Sequence, residues 1–281
     1  MNILIIGTGL IGGSFALATK AHFDKHRLGG WDLNVSHMSD AKKLGIIDTY
    51  FASEQEAFSW MDLAVLSIPV SAIRKNINRL LGNLNGEQSL IDFGSTKKTI
   101  CDQVRGHPNR SQYLAAHPIA GTEYSGPKAA DAGLFKGKHM LTCEVELSNN
   151  KLVDWFGQWC SVLGMTVKNL SPSKHDQHLA YISHLSHVIA FGLSNTVLEI
   201  EKNGEAILEL SGSGFASTVR LAKSDPVTWA EIFMENRTSL IKGIDELTTH
   251  IQSIRTFLAN GQYEKIRDFL EKGRKIRKIL K

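Results

Sequence analysis

The stretch "NILIIGTGLIG", residues 2–12, joins a short apolar run to a turn that is rich in glycine. Gly7, Gly9 and Gly12 match the pattern G-x-G-x-x-G, and residues 10–21 have the sequence pattern of a helix. The glycine pattern alone is weak evidence, because glycines also mark ordinary turns. Here it follows a predicted strand and opens a predicted helix, which is the context of a dinucleotide-binding site.

Each glycine has its own physical role in such a site. Gly7 permits the tight turn, Gly9 lets the backbone approach a pyrophosphate, and Gly12 lets the helix pack closely on the strand. The helix begins with Leu10 and Ile11, and its N terminus faces the phosphates. We therefore predict that these five residues bind the cofactor.

Asp32 is predicted to select the nucleotide. It ends the second predicted strand, "LGGWD" (28–32), and is followed by Leu33 and Asn34 with no arginine. A carboxylate at this position accepts hydrogen bonds from the ribose hydroxyls and repels a 2′-phosphate, which favours NAD over NADP. Ser67 and Pro69, in "SIPV" (67–70), close a further strand and are expected beneath the nicotinamide ribose.

Strand-like and helix-like segments alternate over the first 170 residues. This alternation predicts parallel βαβ units and an α/β doubly wound sheet. The predicted strands are 2–7, 28–32, 62–69, 89–95 and 113–118, with two further runs, 139–146 and 165–170, that extend the sheet.

The remaining chain is predicted to be all-helical, which divides the protein into domains 1–170 and 171–281. A helix over 173–201 is apolar on most sides, and helical patterns continue through 204–223, 226–258 and 261–280. A helix that is hydrophobic all round must be buried between other elements. Its apolar surface exceeds what one small domain can cover, so a dimer is expected.

Composition limits the classes of function. Of the 281 residues, 42% are hydrophobic and 21% charged, and the net charge of +4 is too mild to indicate nucleic-acid binding. No apolar run reaches the length of a membrane span, and the N terminus lacks the features of a signal peptide. Three cysteines without a C-x-x-C pair indicate a reducing compartment, so the protein is expected to be cytoplasmic.

Three polar residues are candidates for chemistry beside the cofactor. Ser95 in "DFGSTKK" (92–98) and His117 in "AAHPIAGTEYSG" (115–126) are predicted to end neighbouring strands. Ligands of a doubly wound sheet gather at the carboxyl ends of its strands. Arg220 is either a surface residue or the cation that holds an anionic substrate. These residues alone predict a dehydrogenase of unspecified substrate.

Five segments together resemble the prephenate/arogenate dehydrogenase family of tyrosine biosynthesis, over nearly the whole chain. The resemblance implies a Rossmann-type domain and then a helical domain that forms a homodimer; neither a regulatory domain nor a chorismate mutase segment is expected. The segments are "IIGTGLIGGS" (5–14), "DFGSTK" (92–97), "HPIAGTEYSG" (117–126), "HDQHLAYISHLSH" (175–187) and "SGSGFASTVRLAKSDPVTW" (211–229).

The resemblance also implies a reaction, the oxidative decarboxylation of prephenate to 4-hydroxyphenylpyruvate with hydride transfer to NAD. In it, His117 accepts a hydrogen bond from the substrate hydroxyl, Ser95 bonds that hydroxyl or the imidazole, and Arg220 holds a carboxylate. The remaining family positions near the pocket are Thr122, Glu123 and His187.

The chain departs from the family pattern in two places. Ser186 stands where the family usually has proline, which should straighten the helix there with little effect on the chemistry. In addition, "FASTVR" (215–220) lacks the acid that commonly precedes the arginine. Arogenate carries an ammonium that would need a nearby carboxylate, so the missing acid favours prephenate.

Other functions stay open at this point. One alternative is an arogenate dehydrogenase that gives tyrosine directly. Another is a different NAD(P) dehydrogenase with a Rossmann domain and a helical domain, although such enzymes use a lysine motif that this chain lacks. A non-catalytic protein that binds NADH is a further alternative. A metal site is not expected, because His175 and His178 face away from His184 and His187 on one helix.

Overall fold

The structure, a computed structural model, describes residues 1–202 and 206–279. Residues 204, 205 and 280 of the predicted helical segments therefore lie outside the described residues. The chain divides into two compact units, Met1–Asn236 and Arg237–Lys281. The predicted cofactor site and the predicted substrate site both belong to the first unit.

An eight-stranded sheet forms the centre of the first unit, in the order β3-β2-β1-β4-β5-β6-β7-β8. The glycine turn follows β1, in the middle of this order, where the connections change direction. Such a switch point is where doubly wound sheets bind ligands. The strands are β1 (Asn2–Ile6), β2 (Arg27–Trp31), β3 (Thr49–Tyr50), β4 (Leu63–Leu66), β5 (Ser89–Asp92), β6 (Tyr113–Ile119), β7 (His139–Cys143) and β8 (Thr166–Leu170).

The predicted fold class, a Rossmann-type α/β sheet followed by helices, is confirmed. All neighbouring strands are parallel except β6 and β7, which pair antiparallel with His117 opposite Leu141. Neither the antiparallel pairing of β6 with β7 nor the two-residue strand β3 was predicted from the sequence.

Helices cover both faces of the sheet. Along β1, Ile3 and Ile5 join one buried cluster while Leu4 and Ile6 join another, because successive side chains point to opposite faces. An unbroken apolar strand is typical of a sheet that is covered on both sides. The helices up to β8 are α1 (Leu10–His22), α2 (Val35–Lys43), α3 (Glu54–Trp60), α4 (Val70–Gly82), α5 (Lys98–Val104) and α6 (Asn150–Val162).

The long helix predicted over 173–201 is continuous but not regular. It consists of α7 (Pro172–Leu179), a π-helical segment (Ala180–His184) and α8 (Leu185–Ile200). Such π-helical turns often occur at functional sites. Two further helices complete the first unit, α9 (Ser213–Val219) and α10 (Pro226–Glu235).

The second unit contains α11 (Arg237–Ala259) and α12 (Tyr263–Arg274), which contact each other. Within the described residues, no helix combines the length and the apolar character that crossing a bilayer requires.

Candidate active site

The glycine turn leaves an open space at the N terminus of α1. Gly7 has φ +92°, and a Cβ there would lie 2.5 Å from the backbone oxygen of Ser67. A Cβ on Gly12 would lie 2.1 Å from the oxygen of Gly7, whereas a Cβ on Gly9 would meet nothing within 4 Å. Gly9 makes no side-chain cap, so the first N–H groups of α1 are available to an anion.

Asp32 is fixed at the end of β2 by backbone donors. Its Oδ2 accepts a hydrogen bond from the Thr8 N–H at 2.9 Å, and its Oδ1 accepts one from the Asn34 N–H at 2.9 Å. The carboxylate therefore has a set orientation beside the cleft.

A cleft of about 810 Å³ runs over this turn. Gly12 does not line it but lies behind Gly7, where it lets the helix approach the strand. The predicted cofactor residues that do line the cleft are Gly7, Gly9, Leu10, Ile11, Asp32, Ser67 and Pro69.

A second cavity, of about 350 Å³, contains the predicted catalytic residues. His117 does not end its strand, as the sequence had suggested; β6 continues to Ile119, and the half-buried imidazole opens into the cavity. Ser95 lies in the loop after β5, which ends at Asp92. The structure brings six predicted residues to this cavity: Ser95, His117, Thr122, Glu123, His187 and Arg220.

The two cavities adjoin each other. Thr122, Glu123, Ser224 and Trp229 line both of them, so a molecule in the smaller cavity lies next to the cleft. Helix α10 lines part of the cleft, and Ser71 Oγ donates to its Glu231 Oε2 at 2.6 Å.

Behind His117 lies a chain of buried polar groups that the sequence analysis missed. His117 Nδ1 is 3.0 Å from His175 Nε2, and His175 Nδ1 is 2.8 Å from Asp176 Oδ1. In the sequence, His175 had been considered only as a metal ligand and rejected, and Asp176 had not been singled out as a site residue. The pattern His-Asp in "HDQHLAYISHLSH" was the available signal, but the partner, His117, is 58 residues away.

The imidazoles of the site are held neutral. Burial lowers the pKa of His117 well below its usual range, and the nearby His175 and Lys97 lower it further. Burial also lowers the pKa of His175, against the opposing effect of Asp176, and lowers that of His184 to about 4. A neutral imidazole can accept a hydrogen bond or a proton.

Lys97 supplies a buried positive charge close to these imidazoles. The Lys97 ammonium is fully buried and paired with Asp92, which also accepts a hydrogen bond from the Tyr113 hydroxyl. A buried charge without such partners would be strongly destabilising. The pair therefore allows the ammonium to stay in the buried interior.

Aromatic and charged side chains line the second cavity. The His187 ring stacks on Trp229 with 3.3 Å between centroids, and His187 Nδ1 is 3.0 Å from the backbone oxygen of Ser183. Arg220 Nη1 lies 3.4 Å from Glu123 Oε2.

The sequence matches two family models that together span most of the chain. Residues 15–166 match prephenate dehydrogenase, nucleotide-binding domain, and residues 171–272 match prephenate dehydrogenase, dimerization domain. The chain belongs to the prephenate dehydrogenase family.

Relatives of the chain carry related names. It is 28% identical to a cyclohexadienyl dehydrogenase of Zymomonas mobilis, over all of this chain (100%) and 96% of that protein. It is also 28% identical to a prephenate dehydrogenase of Bacillus subtilis, over 94% of this chain and 72% of that protein. A crystal structure of prephenate dehydrogenase from A. aeolicus in complex with hydroxyphenyl propionate and NAD+ superposes with a TM-score of 0.91, at 29% identity, over 100% and 98% of the two chains.

Proposed function

We infer that this chain is an NAD-dependent prephenate dehydrogenase, which converts prephenate to 4-hydroxyphenylpyruvate in tyrosine biosynthesis. The observation that carries this proposal is the position of His117 and Ser95 in a cavity that adjoins the dinucleotide cleft. A substrate carbon can there approach a nicotinamide ring while its hydroxyl meets a neutral imidazole.

The residues of the cleft fit NAD. The open space at Gly9 and the uncapped N terminus of α1 suit a pyrophosphate, and the fixed carboxylate of Asp32 suits an unphosphorylated ribose. When bound, NAD accepts the hydride from the ring carbon that carries the hydroxyl.

His117 acts as the acceptor for the substrate hydroxyl. As hydride leaves, the hydroxyl becomes more acidic, and the neutral imidazole takes up its proton. Ser95 bonds the same hydroxyl or the imidazole. Carbon dioxide leaves the opposite ring carbon, and aromatisation of the ring drives the reaction.

Arg220 binds a carboxylate of the substrate through charge-assisted hydrogen bonds. Thr122, Glu123 and His187 complete the pocket. We propose prephenate over arogenate because Ala216 and Ser217 precede Arg220 in place of the acid that the family commonly has there. An unpaired ammonium in the pocket would cost several kcal/mol.

We propose further that residues 1–170 and 171–281 act as two domains and that the latter makes a homodimer. Support comes from the family models, which meet between residues 166 and 171, and from the description of the second as a dimerization domain. Exposed apolar side chains on α8, such as Ile189 and Leu198, are available to a second copy. The three buried free cysteines suit the reducing cytoplasm.

The decisive experiment measures kcat/KM with prephenate and with arogenate, each against NAD and NADP. We expect turnover of prephenate with NAD, at least about tenfold above the other combinations, since each 1.4 kcal/mol of differential binding is tenfold. An equal or higher kcat/KM with arogenate would reject the substrate proposal. NADH binding without turnover of either substrate would reject the enzyme.

A further inference from the structure

We propose that His175 and Asp176 are positioning residues that hold His117 in one tautomer, with its proton on Nδ1 and the lone pair of Nε2 directed to the substrate. This inference deepens the proposed function, because it rests on His117 as the acceptor of the substrate hydroxyl.

The Asp176 carboxylate has hydrogen-bond donors on both oxygens. Its Oδ1 accepts the Lys97 N–H at 2.7 Å, and its Oδ2 accepts the Lys98 N–H at 2.9 Å. An ionised carboxylate only accepts hydrogen bonds, so the contact of 2.8 Å from Oδ1 to His175 Nδ1 requires the proton to be on that nitrogen.

The protonation of His175 then determines that of His117. A neutral imidazole with its proton on Nδ1 has a lone pair on Nε2. His175 Nε2 is therefore the acceptor in the 3.0 Å contact with His117 Nδ1, and His117 Nδ1 must carry the proton. The second ring nitrogen of His117, Nε2, is left with the free lone pair.

The opposite tautomer of His117 is disfavoured at this site. It would place two lone pairs against each other at 3.0 Å, in a place where His175 is fully buried and no water can separate them. It would also present an N–H to the substrate hydroxyl, which cannot then pass its proton to the ring. The catalytic hydrogen bond thus depends on a residue that does not touch the substrate.

Asp176 is held from several elements of the first unit. Besides the two backbone donors at the N terminus of α5, Asn236 Nδ2 donates to the Asp176 carbonyl oxygen at 2.7 Å. The other titratable groups near the pair are Lys97, paired with Asp92, and His184, whose Nδ1 is 3.2 Å from Asn236 Nδ2. When His117 gains the proton, its Nδ1–H still donates to His175, and the Asp176 carboxylate offsets the new positive charge.

The direct test is nitrogen NMR of the wild-type protein with NAD bound, labelled at histidine, with the His117 signals assigned by their loss in His117→Asn. We expect the long-range coupling pattern of an imidazole protonated on Nδ1. A pattern of protonation on Nε2 would overturn the inference, whereas the role of His117 itself is tested separately by the activity of His117→Asn.

Two substitutions of His175 separate positioning from packing. In His175→Gln the amide oxygen can replace Nε2 as the acceptor, whereas His175→Phe keeps the ring volume and removes the acceptor. We expect His175→Phe to lower kcat about 100-fold with little change in the KM of prephenate, and His175→Gln to recover most of that loss. A packing role predicts the reverse order, since Phe fits an apolar site better than Gln.

The matched control is the same pair of substitutions at His178, which is exposed on the same helix. Both should leave kcat unchanged. If His175→Phe equals wild type, the positioning role is excluded; if His117→Asn keeps full activity, the proposed function of His117 fails instead. The wild-type NMR result decides the tautomer even where a His175 variant does not fold.

Discussion

Arg220 and Glu123 form an ion pair across the substrate cavity, with Arg220 Nη1 3.4 Å from Glu123 Oε2. The Arg220 side chain is 54% exposed, so solvent screens this pair and its contribution to stability is small. A carboxylate that enters the cavity competes with Glu123 for the same guanidinium. The pair therefore holds Arg220 at the cavity without engaging all its donors.

Replacing Arg220 should weaken substrate binding selectively. We expect Arg220→Gln to raise the KM of prephenate about tenfold or more, because a hydrogen bond to a charged group contributes about 1.5–3 kcal/mol. The KM of NAD should barely change. Steady-state kinetics with each substrate varied in turn give both values.

The control for lost charge is Arg105→Gln, since Arg105 is exposed and pairs with Asp102 and Glu144, away from both cavities. It should change neither KM. A raised KM of NAD with an unchanged KM of prephenate in Arg220→Gln would assign Arg220 to the cofactor.

His117 is expected to carry the largest catalytic effect. His117→Asn removes the base and should lower kcat at least about 100-fold, the usual contribution of a positioned proton acceptor. The dissociation constant of NAD, measured by fluorescence or calorimetry, should stay the same. His139→Asn, an exposed histidine on β7, is the matched control. Activity of His117→Asn within about threefold of wild type would remove His117 from the mechanism.

The sequence predicted most strands and the glycine turn because each depends on the pattern of residues within one short segment. Short apolar runs indicated every strand up to β8 except β3, and the glycine turn located the cofactor cleft. The antiparallel direction of β7 was missed, because strand direction depends on a partner distant in sequence. The π-helical segment before Leu185 was missed since apolar residues on most sides give no clear periodicity.

A residue of the site was predictable only where it lies in a recognisable sequence motif. Three such residues were predicted from their motifs, and all of them line one cavity: Ser95, His117 and Arg220. The contact of His117 with His175 was not selected, because it joins β6 to α7 and has no pattern in the intervening sequence. Buried hydrogen bonds between segments that are distant in sequence can be identified only from the three-dimensional structure.

Asp32 should determine the choice of cofactor. The double variant Asp32→Ser with Leu33→Arg should raise kcat/KM with NADP and lower it with NAD, because a repelling carboxylate is lost and a cation gained. The ratio of the two kcat/KM values is the measurement. Asp24→Ser, at an exposed turn, should leave the ratio unchanged. A wild-type protein that already prefers NADP would show that Asp32 does not contact the ribose.

The homodimer is testable by light scattering at micromolar protein concentration. In a monomer, large apolar side chains such as Ile189 and Leu198 on α8 are exposed to solvent. We expect the mass of two chains, and Leu198→Glu should shift it toward one, whereas Val35→Glu, at an exposed site on α2, should not. A stable monomer of the wild-type chain would contradict the proposal.

The buried histidines should make the protein less stable in acid. His184 has its pKa lowered from 6.5 to about 4 by burial, so between these values the unfolded chain binds a proton that the folded chain does not. Above about pH 6.5 this group does not reduce the free energy of unfolding. As the pH falls toward 4, it reduces the free energy of unfolding progressively. His117 and His175, whose pKa values burial also lowers, act in the same direction.

His184→Asn isolates one part of this effect. The asparagine oxygen can replace Nδ1 as the partner of Asn236, while the titrating group is removed. Between pH 6.5 and about pH 4.5, the free energy of unfolding should therefore fall by about 2 kcal/mol less than in wild type. Urea unfolding curves at both pH values measure the difference, and His178→Asn, exposed on the same helix, should keep the wild-type loss. Equal losses in wild type and His184→Asn would mean that His184 titrates alike in the folded and unfolded chain, and that it is not held neutral by burial.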